Sequence, residues 1–293
     1  LSDRSHGRGA ETMADLRVLS LGAGVQSSTL AFMYDLGEIG PMPDYAVFAD
    51  TMAEPKEVYD WFDWMKSKIK NYPIHVISAG NIETDSIEAA EGLHTSRTPP
   101  FFTKDPKKNS MGILTRQCTG HYKIEPIHKF IRTQMGYKKG QRVKKGTVVE
   151  MIMGISRDET YRVKEARKPW IKNVYPLVDR NITRAMCKKW FEDHDMPKPP
   201  RSACTFCPYK TWTEWKYLKD NSPEEFQHVI EFEKKINGGF KGMREGYTVF
   251  VTKEGKPLDE IDIDEKAKDS GQMSMFDELG GVTVNDCEGM CGV

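Results

Sequence analysis

Short apolar runs alternate with segments of helical periodicity through the first two thirds of the chain. Five runs have the length and apolar character of buried strands: 17–21, 45–49, 74–77, 148–153 and 171–175. Helical spacing of apolar residues over 27–36 and 55–70 predicts helices between the first three strands. Strand–helix alternation predicts an α/β fold with a parallel sheet covered by helices on both faces. Ligands of such sheets bind at the carboxyl ends of the strands.

The last third of the chain has a different pattern. Helical periodicity predicts helices over 183–195, 213–221 and 222–237, and Ser222 to Glu225 has the sequence of a capping box. The proline-rich stretch 94–115 predicts an irregular lid or binding loop. Beyond residue 238 the periodicity fades.

Composition narrows the class of protein. The 293 residues are 38% hydrophobic and 29% charged, which is typical of a globular protein and excludes collagen-like and coiled-coil chains. No apolar run approaches the roughly 18 residues of a membrane span, and no secretory signal is visible. Six cysteines in such a chain predict a reduced, cytoplasmic protein in which paired cysteines are metal ligands or redox groups.

Charge is balanced overall but segregated along the chain. The 43 basic and 43 acidic side chains cancel. Residues 104–172 nevertheless carry 18 lysines and arginines against 6 acids, and residues from 253 onward carry 4 against 11. The central block therefore predicts a surface for a polyanion. Solvated helix faces or contacts with nucleotide phosphates are the alternative explanations.

Two segments that follow the first two strands carry candidate chemistry. The small residues of the turn from Ser20 to Ser28 allow close approach of an anion to the backbone at a helix start. The same sequence is also compatible with a tight turn capped by serine. After the second strand, Asp50 and Glu54 are placed to bind a ribose hydroxyl or Mg²⁺, unless Asp50 is only a helix cap.

These segments, written SLGAGVQSS and VFADTMAE, resemble the PP-loop ATP pyrophosphatases of the adenine nucleotide α-hydrolase-like fold. The likeness is strongest to the branch of phosphoadenylylsulfate (PAPS) reductases and iron–sulfur-dependent sulfurtransferases. In the family loop Ser-Gly-Gly-x-Asp-Ser, this chain has Gly22 at the first serine and Gln26 at the aspartate. Residues 154–162 resemble the Gly-x-Arg-x-x-Glu-Ser segment, and 118–126 the Cys-Thr-x-x-x-Lys-x-x-Pro stretch.

The resemblance implies an ATP and Mg²⁺ site. Its cofactor-binding residues would be Ser20, Gly22, Ala23, Gly24, Gln26, Ser27, Ser28, Asp50, Thr51, Glu54, Gly154, Glu159 and Arg162. Lys123 and Arg157 would neutralise phosphate or acceptor charge, and Cys118 would take part in catalysis. The predicted divisions are a leader or tag (1–14), a PP-loop nucleotide-binding domain (15–180), a helical Cys-x-x-Cys region (181–240) and an acidic, partly flexible tail (241–293).

Cysteines supply the remaining candidates. Cys204 and Cys207 form a Cys-x-x-Cys turn followed by proline, with Cys118 86 residues upstream. Thiolates at this spacing can bind one metal centre, either an iron–sulfur cluster or structural zinc. Cys287 and Cys291 are candidates for a fourth ligand. Cys187 lies in a helical pattern, which predicts an inert packed thiol.

The resemblance favours ATP-dependent sulfur transfer to tRNA or DNA, with sulfide delivered from a [4Fe–4S] cluster held by Cys118, Cys204, Cys207 and Cys287. One alternative is a PAPS reductase-like oxidoreductase in which Cys291 attacks a sulfonate. Another is a non-catalytic nucleotide-binding protein, because Gln26 replaces the loop aspartate. A sulfur donor protein or thioredoxin-like reductant is the expected protein partner, a membrane is not, and a homodimer is possible.

The aromatic residues around the Cys-x-x-Cys turn allow three interpretations. Phe206, Tyr209, Trp212 and Trp215 follow it near helical spacing. They could shield a metal centre, stack on a base or form core, and this spacing favours core.

Overall fold

The computed structural model describes residues 14–93, 95, 99–108 and 110–268. Its strands are β1 Leu16–Leu21, β2 Tyr45–Asp50, β3 Ile74–Ser78, β4 Phe102–Lys104, β5 Met111–Ile113, β6 Val149–Met153, β7 Ile171–Val174 and β8 Thr248–Phe250. Its α-helices are α1 Val25–Asp35, α2 Lys56–Lys68, α3 Ile82–Ala90, α4 Glu125–Gln134, α5 Pro176–Asp179, α6 Arg184–Asp193, α7 Trp212–Asn221 and α8 Pro223–Ile236. A π-helix, Thr119–Ile124, leads into α4, and 3₁₀ turns occupy Arg157–Arg162 and Leu258–Glu260.

A five-stranded parallel sheet lies at the centre, in the order β3-β2-β1-β6-β7. Alternate side chains of each strand face opposite helix layers. Leu19 and Phe48 pack with α1, α2 and α6, whereas Val18 and Val47 pack with α4 on the other face. The direction of the connections reverses between β1 and β6, and such a switch point opens a crevice at the carboxyl ends of the strands.

The α/β class and the parallel sheet are confirmed. All five predicted strands form within one residue of their expected ends, and the predicted helices form as α1, α2, α6, α7 and α8. Cys187 is fully buried in the core beneath α1, as expected for a packed thiol.

Two segments differ from the sequence-based expectation. The stretch 94–115, expected to be irregular, contains β4 and β5. These strands pair antiparallel with β8, which falls in the segment expected to be an acidic tail. Residues 249–251 are buried there, and 263–268 are helical. Each strand has only three residues, too few for an alternating pattern to stand out in the sequence.

The predicted capping box at Ser222 is also wrong. Ser222 is the N-cap residue of α8, but its side chain forms no hydrogen bond with the helix. The Glu225 carboxylate accepts instead from the backbone N–H of Lys56 (2.7 Å), so it ties α8 to the start of α2. A capping box does form one helix earlier, between Thr211 and Glu214 at the start of α7.

Helices α3, α7 and α8 and the small sheet enclose a second core. It includes Phe101, Tyr122, Phe206, Trp215, Phe232, Val249 and Val251. Cys118 and Cys204 pack against it. Within the described ranges, no helix has the length and apolar character that crossing a membrane requires.

Candidate functional site

The turn between β1 and α1 is fully enclosed. The Gly22 N–H donates to Ser27 Oγ (3.2 Å), and that hydroxyl donates to the Gly24 carbonyl (3.3 Å). Ala23 adopts a left-handed conformation, with φ of 59°, to complete the turn. The N-cap residue of α1 is Gly24, which has no side chain. The first N–H groups of the helix therefore donate no hydrogen bond to a capping side chain and remain available as donors. A helix start of this kind attracts anions.

Gln26 ties this turn to two other parts of the chain. Its side chain is buried; Oε1 accepts from Arg184 Nη1 (2.7 Å) and Nε2 donates to Ser156 Oγ (3.4 Å). The amide of Gln26 is therefore held by hydrogen bonds at both its oxygen and its nitrogen. Sequence reasoning missed Arg184, which lies outside every motif that the sequence suggested. Ser156 lies within the 154–162 segment but was not among the predicted site residues.

Gly154, predicted to bind the cofactor, has a packing role in the turn. A Cβ added there would lie 2.8 Å from both the Cα and the backbone N of Ser27. The end of β6 therefore touches the backbone of α1, and only glycine permits this distance.

We expect Gly154→Ala to displace the turn, destabilising the fold by about 1–3 kcal/mol and weakening nucleotide binding. Urea denaturation and nucleotide titration measure the two effects. Gly238→Ala is the matched control, because a Cβ at Gly238 would meet nothing within 4 Å. Equal behaviour of the two variants would contradict this account of Gly154.

The segment after β2 bends sharply. Asp50 Oδ1 accepts from the Met52 N–H (2.7 Å) and from the Tyr59 hydroxyl (2.8 Å), and Met52 has a φ of 57°. The bend turns the chain so that Thr51 Oγ1 lies 3.4 Å from Cys204 Sγ. The carboxylate is thus held at the carboxyl edge of the sheet, where the sequence placed it.

The Cys-x-x-Cys turn is anchored to the same segment. Thr205 donates through both its N–H and its hydroxyl to the Ala53 carbonyl, each at 2.8 Å. The Cys207 N–H donates to the Cys204 carbonyl (2.9 Å) and closes the turn. Cys118 and Cys204, which are 86 positions apart, both pack against the second core, and Cys207 lies close enough to Cys204 to affect its pKa.

A buried ion pair lies between the Cys-x-x-Cys turn and the turn that joins β1 to α1. Lys123 Nζ lies 3.7 Å from Glu54 Oε1, and the two side chains are only 7% and 1% exposed. Glu54 Oε2 also accepts from Ser202 Oγ (3.2 Å). Lys123 lines a narrow gap together with Ser20 and Gly22. In that gap, which is too narrow to hold a water molecule, the Ser20 hydroxyl is buried and has no hydrogen-bond partner.

Burial dominates the electrostatics of this region. It raises the pKa of the Cys204 thiol well above its usual range, and Glu54 raises it further while Lys123 lowers it. Burial likewise raises the pKa of Glu54. It lowers the pKa of Lys210, a cation near Cys207 that sequence reasoning missed. A bound metal would lower the pKa of the Cys204 thiol, because coordination removes the thiol proton.

The residue types in this region suit a soft metal ion, but their side chains are not already arranged around a metal position. Three thiols with Lys123 and Lys210 nearby offer the sulfur ligands and positive surroundings that suit an iron–sulfur cluster or zinc. Across the described ranges, however, no three His, Cys, Asp or Glu side chains are arranged to hold a metal ion. Cys287 and Cys291 lie outside the described residues.

The segment after β6 lies beside the turn at the same sheet edge. Its link is Ser156, which accepts from Gln26. The Arg157 side chain is exposed and donates to Asn181 Oδ1 (3.1 Å), whereas Glu159 is buried and forms an ion pair with Arg162. Arg157 is therefore at the rim of the site, and Glu159 and Arg162 stabilise the loop.

A basic cleft of about 600 Å³ lies at the opposite end of the sheet, where β6 and β7 begin. Six cations line it: Lys129, Arg132, Lys138, Lys139, Arg142 and Lys168. One acidic residue, Glu125, also lines it. Burial and Lys168 lower the pKa of His128, also in the cleft, to about 4, so that imidazole is neutral at physiological pH.

Comparison with known proteins assigns no family. No family model and no curated protein sequence matches the chain. Among solved structures, the chain is similar to the U34-tRNA thiolase NcsA from Methanococcus maripaludis with its [4Fe-4S] cluster, at 12% identity. That likeness covers 87% of this chain and 81% of the other, with a TM-score of 0.35. A likeness at this score carries no argument about chemistry, so the functional argument rests on this chain's residues.

Proposed function

We propose that this protein is an ATP-dependent sulfurtransferase that acts on a nucleic acid. The observation that carries the proposal is the position of Lys123. It lines the gap beside Ser20 and Gly22, pairs with Glu54 and acts electrostatically on Cys204. One buried cation therefore joins an anion-binding turn to a group of thiols.

At the nucleotide end, ATP and Mg²⁺ would bind across the carboxyl edge of β1 and β2. The N–H groups at the start of α1, which have no side-chain cap, and the unpartnered Ser20 hydroxyl would donate to phosphate oxygens. Asp50 is oriented by Met52 and Tyr59, which leaves Oδ2 for a ribose hydroxyl or Mg²⁺. Arg157 at the rim supplies a second positive charge.

The reaction we propose has two steps. An oxygen of the acceptor attacks the α-phosphorus of ATP and pyrophosphate leaves, which gives an adenylylated acceptor. Hydrosulfide then attacks the carbon or phosphorus that carries this oxygen, AMP leaves with the oxygen, and the proton of hydrosulfide passes to solvent. Lys123 stabilises the charge that develops on the phosphate or on the acceptor.

At the sulfur end, Cys118, Cys204 and Cys207 would hold a [4Fe–4S] cluster, with the fourth position left to Cys287 or to the sulfur itself. When bound, such a cluster supplies an iron that can carry hydrosulfide. Cys118 and Cys204 pack against the apolar second core on one side and remain partly exposed. Zinc bound by the same thiols would support a structural role instead.

The basic cleft supports a polynucleotide acceptor. A single nucleotide is held by a few cations, whereas six cations spread over a cleft suit successive phosphates of a chain. Helix α4 lines the cleft along its length, from Glu125 to Thr133, and follows directly on the π-helix that holds Lys123. We propose that one polynucleotide acceptor contacts both the cleft and the region of Lys123.

Charge reversal in the cleft tests this part of the proposal. We expect Lys138→Glu with Lys139→Glu to weaken tRNA or DNA binding by about tenfold or more, and to reduce the dependence of log K on log salt by about two. Fluorescence anisotropy at several salt concentrations measures both. Lys66→Glu with Lys70→Glu, on exposed positions around α2, is the matched control. An unchanged salt dependence would exclude the cleft as the phosphate site.

Two assays test the whole proposal. Anaerobic purification with iron, sulfide and visible-spectrum measurements is expected to give about four irons per chain. Pyrophosphate release from ATP is expected to depend on added tRNA or DNA. A colourless protein containing zinc would exclude cluster-mediated transfer, and sulfite release from a sulfonucleotide would favour the reductase. ATP binding without turnover would favour a non-catalytic protein. A sulfur donor, a homodimer and cytoplasmic location remain predictions from the sequence.

A further inference from the structure

A separate cavity of about 400 Å³ opens directly beside the Cys-x-x-Cys turn. Its walls include four aromatic side chains, Phe102, Tyr209, Trp212 and Trp215. Pro208, which also lines it, follows Cys207 in the chain. The cavity is thus next to the thiols and is distinct from both the nucleotide-binding turn and the basic cleft.

The cavity has an unsatisfied polar group in its wall. Pairing of β4 with β8 brings Phe102 and Thr252 to the same side. Thr252 is 3% exposed, and its Oγ1 has no hydrogen-bond partner. Leaving a buried hydroxyl without a hydrogen bond is unfavourable, because the group has lost its bonds to water. A ligand that hydrogen-bonds to this hydroxyl would recover that cost.

Cations lie over the aromatic rings around the cavity. Lys210 Nζ is 5.9 Å from the centre of the Trp215 ring, and Arg116 Cζ is 5.5 Å from that of Tyr209. Phe206 and Trp215 are almost fully buried and belong to the second core, whereas Tyr209 and Trp212 keep partly exposed rings. Flat apolar walls, one hydrogen-bonding group and nearby positive charge suit a planar ring attached to an anionic chain.

We propose that this cavity binds a nucleobase of the nucleic-acid acceptor, so that the oxygen replaced by sulfur belongs to a base and not to a phosphate. The proposal rests on the proposed function and adds the chemical class of the acceptor atom. Aromatic walls stack on bases, whereas phosphates are bound by cations and N–H groups. The basic cleft lies at the far end of the sheet and holds the backbone, while the cavity beside Cys207 holds the base.

Affinity measurements with two matched probes test the base site. The probes are one single-stranded oligonucleotide and its counterpart with an abasic position at every nucleotide, which keeps the phosphates. We expect Trp212→Ala to weaken binding of the first probe by about 10- to 100-fold and to leave binding of the second unchanged. Tyr217→Ala is the control, because Tyr217 is an exposed aromatic residue on the same helix and is not part of the cavity wall.

A second variant and a crosslink keep the test independent of folding. Thr252→Val is expected to weaken binding of the base-containing probe several-fold without lowering thermal stability, since the hydroxyl has no partner to lose. A 5-iodouracil in the probe is expected to crosslink to Trp212 or Tyr209, as located by mass spectrometry. Crosslinks confined to other regions, or equal losses of affinity for both probes, would overturn the base site.

These outcomes separate the base site from the proposed function. If pyrophosphate release never depends on nucleic acid while the probe still crosslinks to Trp212, the sulfurtransferase proposal fails and the base site stands. If nucleic-acid-dependent release is the same in Trp212→Ala and in the unmodified protein, the base site fails and the sulfurtransferase proposal stands.

Discussion

Cys204→Ser is expected to remove the metal centre and to reduce sulfur transfer by more than about 100-fold. Serine has nearly the same size but is a poor ligand for iron, so the change removes a ligand with little effect on packing. Because the turn after β1 does not contain Cys204, the affinity for ATP is expected to stay within a factor of about three. Iron and sulfide content, thiolated product and nucleotide titration measure the three quantities.

Cys187→Ala provides the matched control. Cys187 is fully buried on α6, in the core beneath α1, where it is one of the packed side chains. Its replacement by alanine is expected to cost about 1–2 kcal/mol of stability and to leave iron content unchanged. Full iron content in Cys204→Ser, or loss of iron in Cys187→Ala, would contradict the assignment of the metal ligands.

Breaking the buried pair between Lys123 and Glu54 is expected to have the second large effect. Lys123→Met leaves a carboxylate that is 1% exposed without this cation, and Glu54→Gln removes the carboxylate that lies 3.7 Å from the ammonium. Each change is expected to destabilise the fold by about 3–5 kcal/mol, while the double variant recovers most of that loss. Urea denaturation measures the free energies of unfolding.

Measuring the activity of the double variant distinguishes a catalytic role of this pair from a structural one. The double variant is expected to fold but to lose nucleic-acid-dependent pyrophosphate release, because Lys123 no longer neutralises charge in the gap beside Ser20. The exposed pair of Lys56 and Asp60 is the control, and Lys56→Met is expected to change stability by less than about 1 kcal/mol. Additive losses in the double variant, or full activity, would rule out the proposed coupling.

The central sheet was predictable because its strands are long enough for a clear pattern. β1 and β2 each have six residues, nearly all buried, and they stand between helices with apolar stripes. The sequence also placed the turn at Gly22 and the carboxylate of Asp50 at one edge, because both follow strands that run in parallel. Periodicity and strand direction were sufficient for this part of the site.

The rest of the candidate site depends on contacts between residues far apart in the chain, which the periodicity of the sequence does not reveal. Arg184 reaches Gln26 across 158 positions, and Thr205 binds the Ala53 carbonyl across 152. Such pairs form only when the sheet has assembled, so no local signal marks them. Lys210 is an ordinary lysine in the sequence, and its importance comes from burial near Cys207 and Glu54.

The pairing of β4 with β8 also sets the order in which the chain can mature. Val249, Val251, Leu258 and Ile263 complete the second core, and they leave the ribosome after all three central thiols, Cys118, Cys204 and Cys207. Until these residues emerge, the second core lacks the last of the apolar side chains that complete it around Cys118 and Cys204.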